Sequence, residues 1–474
     1  MPQKSLAFQG RTRRTPPAIL TLSLLVSAGL AGCTTAPRRI EPPAPRPLGA
    51  ALPVYAATEA AVSPGPPTVA PGPTALPFVA PEGAITLRDA LAAALLGNPD
   101  LAAFAWEVRV REARALQAGL LPNPELSIEV ENVAGSGDFR RTRQAETTLA
   151  LGQLIELGGK RAKRLRIAEL DAALAGWDYE TRRVEVFAAV VRAFAELLAA
   201  QERLRLSDEL LDLAKKSLES VARQVRAGAA SPVERTRAEV TLATQALERR
   251  SAEAALAAAR ARLAASWGGR DARYEEAKGD LFAVVAPPSR EEITRRLDAN
   301  PELARWVQEI ELRKAVVELE DAQRIPDPVA SAAVRRLEES NDTALVFGVS
   351  LPLQVFDRNQ GARLAARRDL TKARHQRRAV EVGVRAALAV AIQELGASYQ
   401  EVVTLREQVL PKAELAYRDV RRGYLRGLFR YLDVLDAQRS LFELRSRELD
   451  ALQTYHSAVA EVERLTGTPI HGRP

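Results

Sequence analysis

The chain states its plan twice. Asn98-Pro99-Asp100-Leu101 returns as Asn300-Pro301-Glu302-Leu303, and Pro122-Asn123-Pro124 returns as Pro326-Asp327-Pro328, each about two hundred residues later. A third echo follows: Ala227-Gly228 precedes a helix that opens on proline, and Arg426-Gly427 precedes another helix at the matching place. The period is far longer than the roughly 20 to 50 residues of solenoid and propeller units, so each copy is a multi-element half of one molecule.

The residue types say what the halves are made of. Of the 474 residues 47% are apolar, yet aromatics are only 5%. Alanine and leucine dominate, with Arg, Glu and Gln between them, the composition of long helices packed in a coiled-coil manner. The net charge of +7 does not indicate nucleic acid, because Lys and Arg alternate with Asp and Glu as on solvated helix faces.

Lys4, Arg11, Arg13 and Arg14 precede an apolar run from Ala18 to Leu30, and Leu30-Ala31-Gly32-Cys33 follows. A basic segment, a short apolar segment and small residues at a cut site form a secretory signal, and the run is too short for a spanning helix. Leu-Ala-Gly-Cys resembles the bacterial lipobox, which implies lipidation at Cys33; the alternative is an ordinary signal peptide with an incidental cysteine. No other cysteine exists, and the three histidines, His375, His456 and His471, are scattered. No metal site and no cofactor beyond the covalent lipid on Cys33 are expected. No nucleophile, base and orienting group can be assembled, and Gly158-Gly159-Lys160-Arg161 lacks the spacing of a phosphate loop, so an enzyme is not expected.

The organisation reads as a signal peptide over 1–32, the lipidated cysteine and a Pro-rich tether over 33–84, a first repeat over 85–285 and a second over 286–474. Thirteen of the 51 residues from Thr34 to Ala84 are proline, a semi-extended stretch able to reach about 150 Å. In each repeat short helices lead to a change of period from 3.6 to 2. Leu126-Ser127-Ile128-Glu129-Val130-Glu131 alternates strictly and a return strand is expected over Glu146 to Leu157, giving a hairpin over 125–157. In the second repeat Thr343, Leu345, Phe347, Val349, Leu351 and Leu353 share one face, with a partner near Val329 to Leu337, giving a hairpin over 326–355. Strands of about ten residues suit a tilted crossing of an outer membrane; half-buried ribbons on a soluble body are the alternative. Four strands are too few to close a barrel, and unpaired edges are not tolerated in lipid.

After each hairpin a long helix is expected, Arg161 to Arg226 and Ala362 to Tyr424, each about 100 Å long, with a kink at Pro411. Each ends in a tight turn around Gly228 or Gly427, followed by an antiparallel helix.

This order of elements resembles the TolC-type outer-membrane efflux proteins from Ile85 to Gly467. Leu121-Pro122-Asn123-Pro124-Glu125, Ile155-Glu156-Leu157-Gly158-Gly159-Lys160-Arg161 and Pro352-Leu353-Gln354-Val355-Phe356-Asp357-Arg358-Asn359-Gln360-Gly361 look like the branch serving cobalt, zinc and cadmium efflux. The resemblance implies a mainly α fold with a small β part: long α-helical hairpins forming a trimeric periplasmic barrel, plus four transmembrane strands per chain contributing to a shared twelve-stranded β-barrel. It implies a lipid-anchored, membrane-spanning protein of the outer membrane with a long periplasmic portion. It further implies a homotrimer working with a periplasmic adaptor and an inner-membrane transporter of the resistance-nodulation-division type, in passive export of divalent heavy-metal cations. An outlet for organic drugs and a lipid-anchored coiled-coil scaffold without a pore are the alternatives.

Leu432-Asp433-Val434-Leu435-Asp436-Ala437 matches the stretch where that family places an acidic constriction. Asp433 and Asp436 stand three apart on one helix face, and in a threefold arrangement would form rings that favour cations. Arg430 and Arg439, each three residues from one of them, offer the other reading, ordinary surface pairs.

Overall fold

The structure, a computed structural model, describes residues 80–470. The predicted signal peptide, Cys33 and most of the tether lie outside the described residues. In the first repeat, β1 (Gly83–Thr86), α1 (Leu87–Gly97) and α2 (Pro99–Ala118) lead to the strands β2 (Glu125–Glu131) and β3 (Glu146–Leu154). The long α3 (Lys160–Arg226) and its antiparallel partner α4 (Pro232–Ala265) follow, and then a short strand β4 (Tyr274–Lys278). The second repeat runs through α5 (Arg290–Arg295), α6 (Pro301–Ala322), β5 (Val329–Leu337), β6 (Asp342–Ser350), α7 (Gln360–Thr404), α8 (Leu410–Leu425) and α9 (Tyr431–Thr466).

The repeated Asn-Pro explains why each half closes on itself. Asn98 Oδ1 accepts the amide of Leu101 at 2.9 Å, capping α2, while its Nδ2 donates to Ser266 O at 2.7 Å, just past α4. Asn300 caps α6 through the amide of Leu303 at 2.9 Å, and its Nδ2 donates to Leu465 O at 2.7 Å, near the end of α9. One side chain thus satisfies an orphan donor at a helix start and an orphan acceptor at a helix end. The proline that follows sits where its missing N–H costs nothing.

The main core lies midway along α3, where Val190, Phe194 and Leu197 meet Leu263, Trp267, Tyr274, Ile293, Leu395, Val402, Leu452 and Val462. Here β1 pairs in parallel with β4, a two-stranded sheet absent from the sequence reading. Both strands are too short to show a period of two, and only the pairing defines them.

The segment between β4 and α5 is strapped across this core. Tyr455 OH donates to Val285 O at 2.7 Å, His456 Nε2 lies 2.8 Å from Leu281 O, and Arg406 donates to Phe282 O at 2.6 Å. Arg406 belongs to a π-helical turn, Leu405–Val409, between α7 and α8. The buried stripe Leu388, Ala391, Leu395, Ser398, Val402, Leu405 advances by three and four, then jumps five to Leu410. The π turn absorbs that extra residue. The kink expected at Pro411 is therefore a change of helical phase just ahead of it.

The barrel expectation is overturned. The two hairpins join through β3 and β5 into one antiparallel sheet in the order β2-β3-β5-β6. Among the described residues it is open: β2 and β6 are its edges, and each pairs with one neighbour only. The four strands do not curl closed because, with this order, nothing links β2 to β6, and four strands are fewer than any barrel needs. Among the described residues no helix is long and apolar enough to cross a membrane.

Candidate functional site

Two regions set this molecule apart from an ordinary helical domain, the sheet and the helical turns farthest from it along α3 and α4. Register across the sheet sorts its side chains onto two faces. Ile128 lies opposite Leu149, Leu149 opposite Val334 and Val334 opposite Leu345; Leu126, Leu151, Ala332 and Phe347 form the parallel row. Apart from the half-buried Val334, the side chains of these rows and of Val349 are conspicuously bare, with Ile128 at 69%, Phe347 at 76% and Val349 at 77% exposed. A contiguous apolar surface of this kind marks a face built to meet something other than water.

The opposite face is polar. Glu129, Thr148, Arg335 and Ala344 share one row, and Glu131, Glu146, Leu337 and Asp342 the next. Arg335 donates to Thr148 Oγ1 at 3.0 Å and to Glu146 Oε2 at 2.9 Å, and its guanidinium lies 3.6 Å from Glu131.

The sheet joins the helices at a compact polar junction. Leu157 N donates to Asp327 Oδ1 at 2.7 Å, Lys160 Nζ bonds Asp327 Oδ2 and the Ile325 carbonyl, and Arg164 pairs with Glu156. The repeated Pro-Asn-Pro and Pro-Asp-Pro are not equivalent, since the Asp327 carboxylate offers a separate charged oxygen to each of Leu157 N and Lys160 Nζ, whereas an asparagine has a single acceptor oxygen. Gly159 (φ 68°) and Asn359 (φ 59°) adopt the left-handed conformation immediately before α3 and α7, turning the chain from strand to helix at the same point of each repeat.

At the far turns Gly228 and Gly427 have φ of +71° and +77°, the conformation that ends a helix with least strain at glycine. Asp433 and Asp436 are both exposed near the start of α9, on the side away from the buried Tyr431, Val434 and Gln438. Asp433 Oδ2 accepts the amide of Arg430 at 2.8 Å, which makes it a capping residue. Arg439 bonds Glu443 at 2.7 Å. Among the described residues neither aspartate forms an ion pair within 4 Å, although Asp436 stands near enough to Arg439 to help, after Glu443, to raise its pKa.

The sequence reading missed the contacts that tie the two turns together. Tyr424 OH donates to Gln224 Oε1 at 2.7 Å, and Tyr431 OH lies 2.9 Å from Ser217 Oγ. Burial raises the pKa of both tyrosines, so they stay neutral hydrogen-bonding groups at physiological pH. Two tyrosines seven residues apart across Gly427 were the available signal. Among the described residues no group of His, Cys, Asp and Glu is placed to hold a metal.

The Outer membrane efflux protein family matches the chain twice, over residues 90–269 and 293–468, one match in each repeat. The chain belongs to the outer-membrane efflux protein family. Among its relatives, the cobalt-zinc-cadmium resistance protein CzcC of Cupriavidus metallidurans is 37% identical over 385 residues, spanning 81% of this chain and 90% of the relative. The nickel-cobalt-cadmium resistance protein NccC of Alcaligenes xylosoxydans xylosoxydans is 28% identical over 320 residues, 67% of this chain and 71% of the relative.

The fold is shared with solved proteins of distant sequence. CusC superposes with a TM-score of 0.68 at 16% identity, covering 81% of this chain and 92% of that one. VceC of Vibrio cholerae gives 0.67 at 19%, covering 81% and 97%. The chain is an outer-membrane component of an efflux system.

Proposed function

We propose that this chain is the outlet of a tripartite pump that exports divalent heavy-metal cations, acting as a homotrimer with a periplasmic adaptor and a proton-driven inner-membrane transporter. The observation that carries the reading is the two-faced sheet in a chain 37% identical to a cobalt-zinc-cadmium resistance protein over 81% of its length. The bare apolar face meets lipid, where exposed apolar side chains are stabilised instead of penalised. The opposite face, carrying Glu129, Glu131 and Glu146, borders the aqueous path.

At the far turns Asp433 and Asp436 form the acidic constriction. Exposed to water, they raise the local cation concentration by field alone and need no coordination chemistry. Exposed Leu428, Phe429, Arg426 and Arg430 beside them offer the adaptor an apolar contact with a basic rim. A lipid on Cys33 adds a second attachment to the outer membrane.

The deciding experiment is deletion and complementation in the native host with cellular metal measured. Loss of the protein should raise cobalt, zinc or cadmium content, and the intact chain should restore it. Sensitivity to lipophilic drugs with unchanged metal content would transfer the reading to organic cargo.

A further inference from the structure

The structure assigns to Arg335 the setting of ionic selectivity along the polar face of the sheet, an inference that rests on the channel reading above. Cross-strand register places Glu125, Glu129, Glu131, Glu146 and Asp342 on this face together with Arg335, while Arg336 falls on the other by strand alternation. Arg335 is therefore the one cation among five carboxylates on the strands of that face. Glu131 and Glu146 are direct cross-strand partners, an arrangement in which like charges repel. The guanidinium stands against both, 2.9 Å from Glu146 and 3.6 Å from Glu131. It is held in place by the bond from its Nε to Thr148 Oγ1, a buried hydroxyl.

A guanidinium does not lose its proton in a protein, so this countercharge is permanent. It cancels part of the field of Glu131 and Glu146 while Glu129, in the same row as Arg335, keeps no ion pair among the described residues. The face thus attracts cations without presenting a dense enough cluster of bare carboxylates to retain a divalent ion in transit. Removing the guanidinium leaves three neighbouring carboxylates uncompensated. For one unit charge acting across water at moderate salt, this should raise the cation-to-anion permeability ratio roughly threefold.

The test is the reversal potential in planar bilayers across a potassium chloride gradient, using the full-length purified protein. Arg335→Gln should shift it toward the cation potential by the amount that ratio implies, Arg335→Lys should leave it near wild type, and Glu129→Gln should shift it the other way. If Arg335→Gln and Arg335→Lys give the same potential, Arg335 is a brace without influence on selectivity and the inference fails. Should Arg335→Gln not assemble, an unchanged potential in Glu129→Gln overturns it equally. A conducting wild type with unresponsive variants sinks this inference alone, whereas a wild type that passes no current sinks the channel reading with it.

Discussion

Lys160 Nζ lies 2.7 Å from Asp327 Oδ2, joining the start of the long helix of the first repeat to the proline-flanked aspartate of the second. The lysine side chain is only 4% exposed and the aspartate 19%. Burial alone would raise the Asp327 pKa, but the bonds from Lys160 and the Leu157 amide prevail and hold it below the usual carboxylate value. Removing one partner leaves the other charged in a poorly solvated junction, at a cost of about 3 kcal/mol. Lys160→Met should lower the thermal midpoint of the detergent-extracted protein clearly, and Lys160→Met with Asp327→Leu should recover much of the loss. A double variant as unstable as the single would contradict the pairing.

Asn300 is 3% exposed and bonds at both ends. Asn300→Ala should cost about 2 kcal/mol, from the lost cap and the stranded carbonyl of Leu465. Asn98 makes the same two bonds in a less buried setting, so Asn98→Ala should cost less. Equal midpoints for the two variants and wild type would show that the repeated Asn-Pro does not close the repeats.

The far turns separate two effects of glycine. A Cβ on Gly228 or Gly427 would meet nothing within 4 Å, so alanine there tests only the positive φ, at about 1 kcal/mol. A Cβ on Gly423 would fall 2.3 Å from the Phe429 ring. That ring is 46% exposed and can swing aside, and alanine suits a helix better than glycine. Hydrogen exchange should therefore quicken at the turns in Gly228→Ala and Gly427→Ala, while Gly423→Ala should keep its helix and release Phe429. Protected turns in the first two variants would contradict the argument from φ.

Burial lowers the pKa of His456 below its ordinary value of 6.5, outweighing the hydrogen bond at the Leu281 carbonyl; nearby Asp280 acts upward and Arg406 downward. The unfolded chain takes up this proton as pH falls through about 6.5, whereas the folded chain resists until a lower pH. This contribution to stability is accordingly full above 6.5 and declines on acidification toward the folded pKa. The midpoint should drop between about pH 7.5 and pH 5.5 by less in His456→Gln than in wild type. Identical drops would remove His456 from the acid response.

Replacing Asp433 and Asp436 by alanine together should reduce cation preference or raise conductance in bilayers. Asp433→Asn retains an oxygen to cap the Arg430 amide and separates charge from capping. If the asparagine variant matches wild type in current and preference, the constriction does not act through the charge at Asp433.

Much of the helical framework could be read from the chain. The period of 3.6 and the absence of breakers indicated α3 over Arg161 to Arg226, against Lys160–Arg226 in the structure. The partner strand expected near Val329 to Leu337 is β5 with those bounds. The distant partners of the two tyrosines between the turns, the strap held by Arg406, Tyr455 and His456, and the pairing of β1 with β4 could not be read. Each joins residues far apart in sequence through a single side chain or a strand of four or five residues, too little to leave a period.

What the sequence by itself determined is local: where helices start and stop, which strand positions are apolar, and that the whole is built twice. Those follow from backbone capping, glycine geometry and side-chain periodicity, all of which act within a few residues. Tertiary structure alone decided that β3 joins β5 in one open sheet, that Arg335 faces Glu131 and Glu146, and that Asp327 receives Lys160. The reason is that register and charge pairing between distant segments are fixed only when the helices have packed and brought those segments to one place.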